Sequence, residues 1–173
     1  ARRDALRDPS SARPEAREAA LTKVYARPVT LAELQAALPE STAVVHFNTG
    51  TWNEPTTAFV LTHDGTSAYV LPPADSLVDP VRRLVLGVQA KGDVRPQARA
   101  LGTVVAAPIA SAVGAGVSRL VIVPGAPFNT LPFDVLELPD GRRMIERFDI
   151  SYAPSASVYA ALRRRSLGAD ADT

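Results

Sequence analysis

The sequence contains no cysteine. That removes disulfides, thiolate metal sites and a cysteine nucleophile, so a thiol enzyme cannot be complete within it. Histidine is scarce as well: His46 and His63 are the only two, and they do not stand three or four apart as a helical zinc-hydrolase pair requires. Charge of either sign is not in excess, with 19 basic against 18 acidic residues and a net charge of +1. No long-range field is therefore available to draw in nucleic acid or an anionic membrane, and neither is expected as a partner. No apolar run approaches the roughly 20 residues needed to span a bilayer. The opening Ala1-Arg2-Arg3-Asp4 leads into polar residues rather than a signal core, so a cytoplasmic chain is expected. The absence of an initiating methionine reads as a cut end. Also missing are a Gly-x-Ser-x-Gly nucleophile elbow, a Gly-Lys-Ser/Thr phosphate loop, a Gly-x-Gly-x-x-Gly fingerprint and any repeat of 20 to 50 residues.

What is present is enough apolar material for one ordinary core: 46% of 173 residues are hydrophobic. Residues 1–13 mix Arg, Asp, Pro and Ser without periodicity and read as a loose lead-in. Over 14–25, Ala16, Ala19, Ala20 and Val24 mark one helical face, with Pro14 in the first turn. Thr30 as N-cap and Glu33 three residues later form a capping box ahead of Leu31, Leu34 and Leu38, and Pro39 stops that helix. Strands are expected at 43–47, 57–62 and 68–71. Asp64-Gly65 between the last two should supply the positive φ of a tight hairpin, and Trp52 falls in the polar connection 50–55.

Farther along, Leu77, Val81, Leu84, Val85 and Val88 share one helical face. Leu101, Val104, Val105, Ile109 and Val113 mark a second helix, which Pro108 should kink or end near Ala107. The continuous apolar run 119–123, closed by Pro124-Gly125, has the character of a strand buried on both faces. A loop at 125–132, an apolar patch at 131–138, a turn at Pro139-Asp140-Gly141, a strand near 148–152 and a helix over 155–165 complete the pattern. The chain divides into a helical lead-in at 1–40, a main unit at 41–165 and a flexible tail at 166–173. The class is α/β, with an antiparallel hairpin early and at least one buried parallel strand later.

No constellation of reactive residues assembles from spacing. In Val44-Val45-His46-Phe47 alternation sends His46 to the face opposite Val45 and Phe47, and His63 simply precedes a turn. Pro124-Gly125-Ala126-Pro127 follows a strand as phosphate loops do, but its two prolines remove two amide donors. Asp134, Glu137 and Asp140 have the wrong rhythm for a calcium loop. Arg163-Arg164-Arg165 suits the negative end of a helix dipole. No catalytic, cofactor-binding or metal-binding residue is assigned, and no cofactor is expected.

The block Arg119-Leu-Val-Ile-Val-Pro-Gly-Ala-Pro-Phe-Asn-Thr-Leu-Pro-Phe-Asp-Val-Leu, followed by Leu138-Pro-Asp-Gly, Ile145-Glu-Arg-Phe and Ile150-Ser-Tyr-Ala-Pro-Ser-Ala-Ser-Val, resembles the CHAT domain family of caspase-like and separase-like cysteine peptidase relatives. The resemblance extends over roughly 20–165, with 119–158 its most specific part. One departure is Gly125-Ala126, where the family more often has Asp-Gly. The resemblance implies a caspase-like mixed sheet with flanking helices and a helical N-terminal lead-in. It also implies that this is the non-catalytic half of such a domain, since the family's catalytic His and Cys motifs have no counterpart here. Expected partners are a catalytic half, upstream helical repeats or a second copy. The alternative is a stand-alone pseudo-protease module acting as a binding scaffold. A docking patch is expected from Phe128, Leu131, Phe133 and Leu138, which with Val135 and Leu136 supply more apolar groups than one short loop normally buries.

Overall fold

The computed structural model describes residues 28–50 and 53–171. The loose lead-in expected at 1–13, the helix expected at 14–25 and Trp52 lie outside the described residues.

Helix α1 spans Leu31–Ala37, and its start is the one the capping box specifies. The Glu33 amide donates to Thr30 Oγ1 at 3.2 Å, and the Thr30 amide donates to the Glu33 carboxylate at 2.8 Å, so two otherwise orphaned donors are satisfied. Strands β1 (Thr42–Asn48), β2 (Pro55–Leu61) and β3 (Thr66–Pro73) follow. Helix α2 (Ala74–Gln89) and helix α3 (Arg95–Leu101) come next. Then come a π turn over Gly102–Ala106, helix α4 (Ala107–Ala112) and strand β4 (Arg119–Val123). Two 3₁₀ turns, Phe128–Thr130 and Phe133–Val135, precede the short helix α5 (Met144–Arg147). Strand β5 (Asp149–Tyr152) and helix α6 (Ala156–Ala171) close the described chain.

The five strands form one mixed sheet in the order β3-β2-β1-β4-β5. β1, β4 and β5 are mutually parallel, while β2 pairs antiparallel with both β1 and β3. β4 is thus an interior strand, and Leu120 and Ile122 are fully buried, as a continuous apolar run between two parallel neighbours requires. The period of two divides β1 between two cores. Ala43, Val45 and Phe47 enter the larger one with Leu77, Val81 and Leu84 of α2, and with Leu101, Val105 and Ile109 of the second helical run. Val44 enters the smaller one with Leu61, Val121, Val123, Leu34 of α1, Leu38 just past its end, and Ala160 of α6. Each large aliphatic side chain removed from water in this way contributes about 1.5–3 kcal/mol before the entropy of ordering it is counted.

Local expectations are corrected at several places. The β2–β3 hairpin is tight, but Gly65 does not adopt a positive φ. Instead the Thr62 amide donates to the Gly65 carbonyl at 2.9 Å, and the Gly65 amide donates to Thr62 Oγ1 at 3.2 Å, so a side chain does what a left-handed glycine would have done. Gly141, in contrast, has φ +82°. It closes the Pro139-Asp140-Gly141 turn as the left-handed member of a three-residue hairpin, with its amide donating to the Leu138 carbonyl and the Leu138 amide to that of Arg142. Val88, expected on the buried face of α2, is 40% exposed in the last turn of that helix. Pro108 does not end its helix. In a regular α-helix its ring would meet the Val104 carbonyl; here the wider π turn precedes it, and the Ala107 amide bonds to the Gly102 carbonyl five residues back. α6 continues past Arg165 to Ala171. Among the described residues no helix is long and apolar enough to cross a membrane.

Candidate functional site

In an open sheet with parallel strands, ligands gather where neighbouring strands send their connections in opposite directions. Here that place is the carboxyl end of β1 and β4, since β1 leads towards β2 and β4 towards β5. The crevice is filled by the chain itself. Gly125, just past β4, lies against the end of β1 so closely that a Cβ would stand 3.0 Å from the Phe47 carbonyl and 3.3 Å from Thr49 Cγ2. The Phe128 amide then donates to the Gly125 carbonyl at 2.7 Å, and the Ala126–Pro127 bond is cis. This turn sends the next segment back under the sheet.

There Phe128 stacks on Phe47 at 4.4 Å between ring centroids, and Phe133 lies 5.5 Å from Phe47. The expected docking patch is therefore corrected: Phe128, Leu131, Phe133 and Leu138 are between 0 and 3% exposed, and Leu136 is fully buried. The physical reason is that two 3₁₀ turns fold this segment against Phe47, and α5 then places Met144 and Phe148 in the same cluster. A surplus of apolar groups for one loop is thus the amount needed to close the open end of a sheet. Tyr152, at the carboxyl end of β5, touches Phe133 edge-on at 6.3 Å and remains half exposed. Partial burial raises its phenol above the ordinary range, and the Asp134 carboxylate adds to the shift.

The two histidines occupy separate parts of the sheet. His46 is exposed on the face of β1 away from the larger core, its ring stacked on Phe59 at 6.5 Å, and partial desolvation lowers its pKa. His63 Nδ1 is 3.2 Å from the Leu38 carbonyl; a carbonyl only accepts, so Nδ1 carries the proton there. Among the described residues no serine or threonine hydroxyl is hydrogen-bonded to either ring. Ser155 Oγ caps α6 by accepting from the Val158 amide, and Ser157 Oγ accepts from the Val29 amide. Nucleophilic catalysis needs a hydroxyl within reach of a base, and neither serine is hydrogen-bonded to a histidine ring.

Two carboxylates of this region are paired with arginines. Glu137 accepts from Arg99 at 2.6 Å, and Asp140 from Arg142. The Arg142 hydrogen bonds hold the Asp140 carboxyl below its usual range. Among the described residues no group of three or more His, Asp or Glu side chains is arranged to hold a metal. A shallow apolar recess of about 430 Å³ lies between α2 and the 126–130 turn, walled by Val78, Val81, Val85, Leu86 and Pro127.

The edge of the sheet at β5 is the other feature of note. β5 is four residues long, Asp149, Ser151 and Tyr152 are exposed, and among the described residues β4 is its only strand neighbour. That edge and the buried aromatic turn fall within one recognised segment: residues 95–173 match the family model of the CHAT domain. The match is consistent with a fragment of that family of caspase-like peptidase relatives, and it takes in the whole block 119–158 on which the resemblance chiefly rests. Residues 20–94 lie outside it. No curated protein matches the chain.

Proposed function

We propose that this chain is the non-catalytic half of a CHAT-type caspase-like peptidase domain, and that it supports a half carrying the family's catalytic His and Cys. The observation that carries the reading is the edge of β5, which among the described residues has β4 as its only strand neighbour, in a chain with no cysteine. An edge strand presents unpaired amides and carbonyls to any strand of matching direction, and β5 is parallel to β4 and β1, so a further parallel strand extends the same sheet. In this reading residues 125–148 serve as an internal plug that makes the supporting half rigid, and the chain works in the cytoplasm.

The test is reconstitution. The chain is mixed with a CHAT segment that contains the family's His and Cys, and hydrolysis of fluorogenic peptides is followed. Turnover by the mixture well above that of either component, abolished when the segment's Cys is replaced by Ala, is the expected result. Turnover by this chain alone, or by the segment at the same rate without it, overturns the proposal.

A second reading has its own observation. Phe128, Leu131, Phe133 and Leu138 are all buried within one chain, which favours a self-contained pseudo-protease module that binds other proteins as a scaffold. Under that reading the chain sediments as a monomer and the β5 amides show no added protection from exchange when the His- and Cys-bearing segment is present.

A further inference from the structure

β3 forms the opposite edge of the sheet from β5, and among the described residues its only strand neighbour is β2. Which of its main-chain groups are free follows from the register. The Thr62 amide donates to the Gly65 carbonyl at 2.9 Å, so 62 and 65 are a hydrogen-bonded pair. Such pairs recur at every second residue of an antiparallel ladder, and Val60↔Ser67, Ala58↔Tyr69 and Thr56↔Leu71 continue the series. Ser67, Tyr69 and Leu71 therefore direct their amides and carbonyls at β2, while Thr66, Ala68 and Val70 direct theirs away from the sheet. The same phase is reached from the other side. The Ser41 carbonyl accepts from the Arg119 amide, which turns Ala43, Val45 and Phe47 towards β4. Their neighbours His46 and Asn48 then face β2, and the partners of these, Phe59 and Thr57, face β1 rather than β3.

Edge strands are normally blunted by charge, proline, a bulge or shortness. β3 has eight residues and no charged one, and its register against β2 is unbroken from Thr66 to Leu71. Pro72, which has no amide, closes the edge at one end, and the Asp64-Gly65 turn closes it at the other. Between them Thr66 and Ala68 are exposed, and Val70 is 76% exposed, more than any other large hydrophobic residue described. The strand that fits this edge is set by symmetry, because the outward residues are spaced evenly about Ala68. A second copy turned through half a rotation about an axis at Ala68 sets Ala68 against Ala68 and each Val70 against the other copy's Thr66. Every outward donor and acceptor between the turn and Pro72 is then used. On the side of the larger core each Tyr69 falls beside the other copy's Ser67, so large groups meet small ones on both faces. No like charges oppose the approach. Sliding the copies by two residues in either direction brings Pro72 or Asp64 into the ladder and breaks the match.

We propose that this chain forms a two-fold dimer by antiparallel pairing of β3 with β3 of a second copy, centred on Ala68. The two sheets become one continuous sheet, and Val70 leaves water against the other copy's strand. β5 lies at the far edge of each copy, so the inference is independent of the reading that assigns a catalytic half to β5.

The unmodified chain should sediment as a dimer at high micromolar concentration. Ala68→Pro removes an outward amide and leaves the β2–β3 ladder whole, so this variant should keep the parent's circular dichroism and sediment as a monomer. Introduced thiols report the register without risk to the fold, since the chain has no cysteine of its own. A68C sets two Cα atoms about 5.5 Å apart across the axis, within the span of a disulfide, and under mild oxidation it should link into dimers on a non-reducing gel. In V70C the two thiols stand four positions apart, about 13 Å along the strands, and should not link, whereas T66C mixed with V70C should. A monomer at every concentration, which is what the scaffold reading expects, overturns the proposal. A dimer that persists in a folded Ala68→Pro variant overturns it by assigning the contact to another surface, and V70C linking as fast as A68C does so by assigning it to another register.

Discussion

Gly102 faces the backbone of Glu137 with no space for a side chain between them: a Cβ at Gly102 would overlap the Glu137 carbonyl oxygen. The contact is fixed from both sides, since Gly102 is buried in the π turn and the Glu137 amide donates to the Ala98 carbonyl at 3.2 Å. It pins the aromatic turn segment to the helix covering the larger core.

Gly102→Ala should accordingly destabilise the protein by about 2–4 kcal/mol, since overlap is with backbone and not with the tip of a flexible side chain. Gly114→Ala, where nothing lies within 4 Å of the added methyl, should stay within about 0.5 kcal/mol of the parent. Urea denaturation of the two variants side by side checks this, and equal midpoints would show that the close approach has no energetic weight.

Phe133 bridges Phe47 and Tyr152 at zero exposure. Phe133→Ala should cost about 3–5 kcal/mol, whereas Phe133→Leu should cost distinctly less because most of the cavity remains filled. If instead this segment were a docking surface, both substitutions would leave the melting temperature unchanged and alter association.

Partial burial lowers His46 from its ordinary value of 6.5. The unfolded chain therefore binds a proton that the native state resists, and the contribution of this group to stability is lost as pH falls from about 6.5 through the lowered native value. His46→Gln should remove that part of the pH dependence. Between pH 7.5 and pH 5 the parent should lose stability relative to the variant, and two parallel curves would refute the assignment.

Thr30→Ala should cost about 1 kcal/mol through loss of the cap on α1, and Glu33→Ala should be largely non-additive with it because both belong to one reciprocal pair. A double-mutant cycle measured by thermal unfolding decides the point. Full additivity would mean that the two hydrogen bonds act independently.

A thiol-directed covalent probe should label nothing, and the purified chain should hydrolyse no peptide substrate. Mass spectrometry after probe treatment and a fluorogenic peptide screen check the two halves of that statement. Turnover that survives repurification would reveal a serine or threonine nucleophile.

What the sequence by itself determined is what neighbouring residues settle among themselves. The Thr30–Glu33 box, the turn at Pro139-Asp140-Gly141, the alternation of Val44, Val45, His46 and Phe47 and the two-sided burial of the run 120–123 all follow from groups a few positions apart. The exclusion of a cysteine nucleophile was equally legible, being a matter of composition. The tertiary structure alone decided where the apolar surplus of 128–138 goes, because its main contact, Phe47, is 81 positions before Phe128 and no local pattern encodes that meeting. It also decided that Pro108 is housed by a π turn, that Thr62 replaces a positive φ at Gly65, and that Val70 is bare while Phe133 is not. Hydrogen-bond chemistry and periodicity act over one turn or one strand pair, whereas burial depends on which surfaces the whole chain brings together.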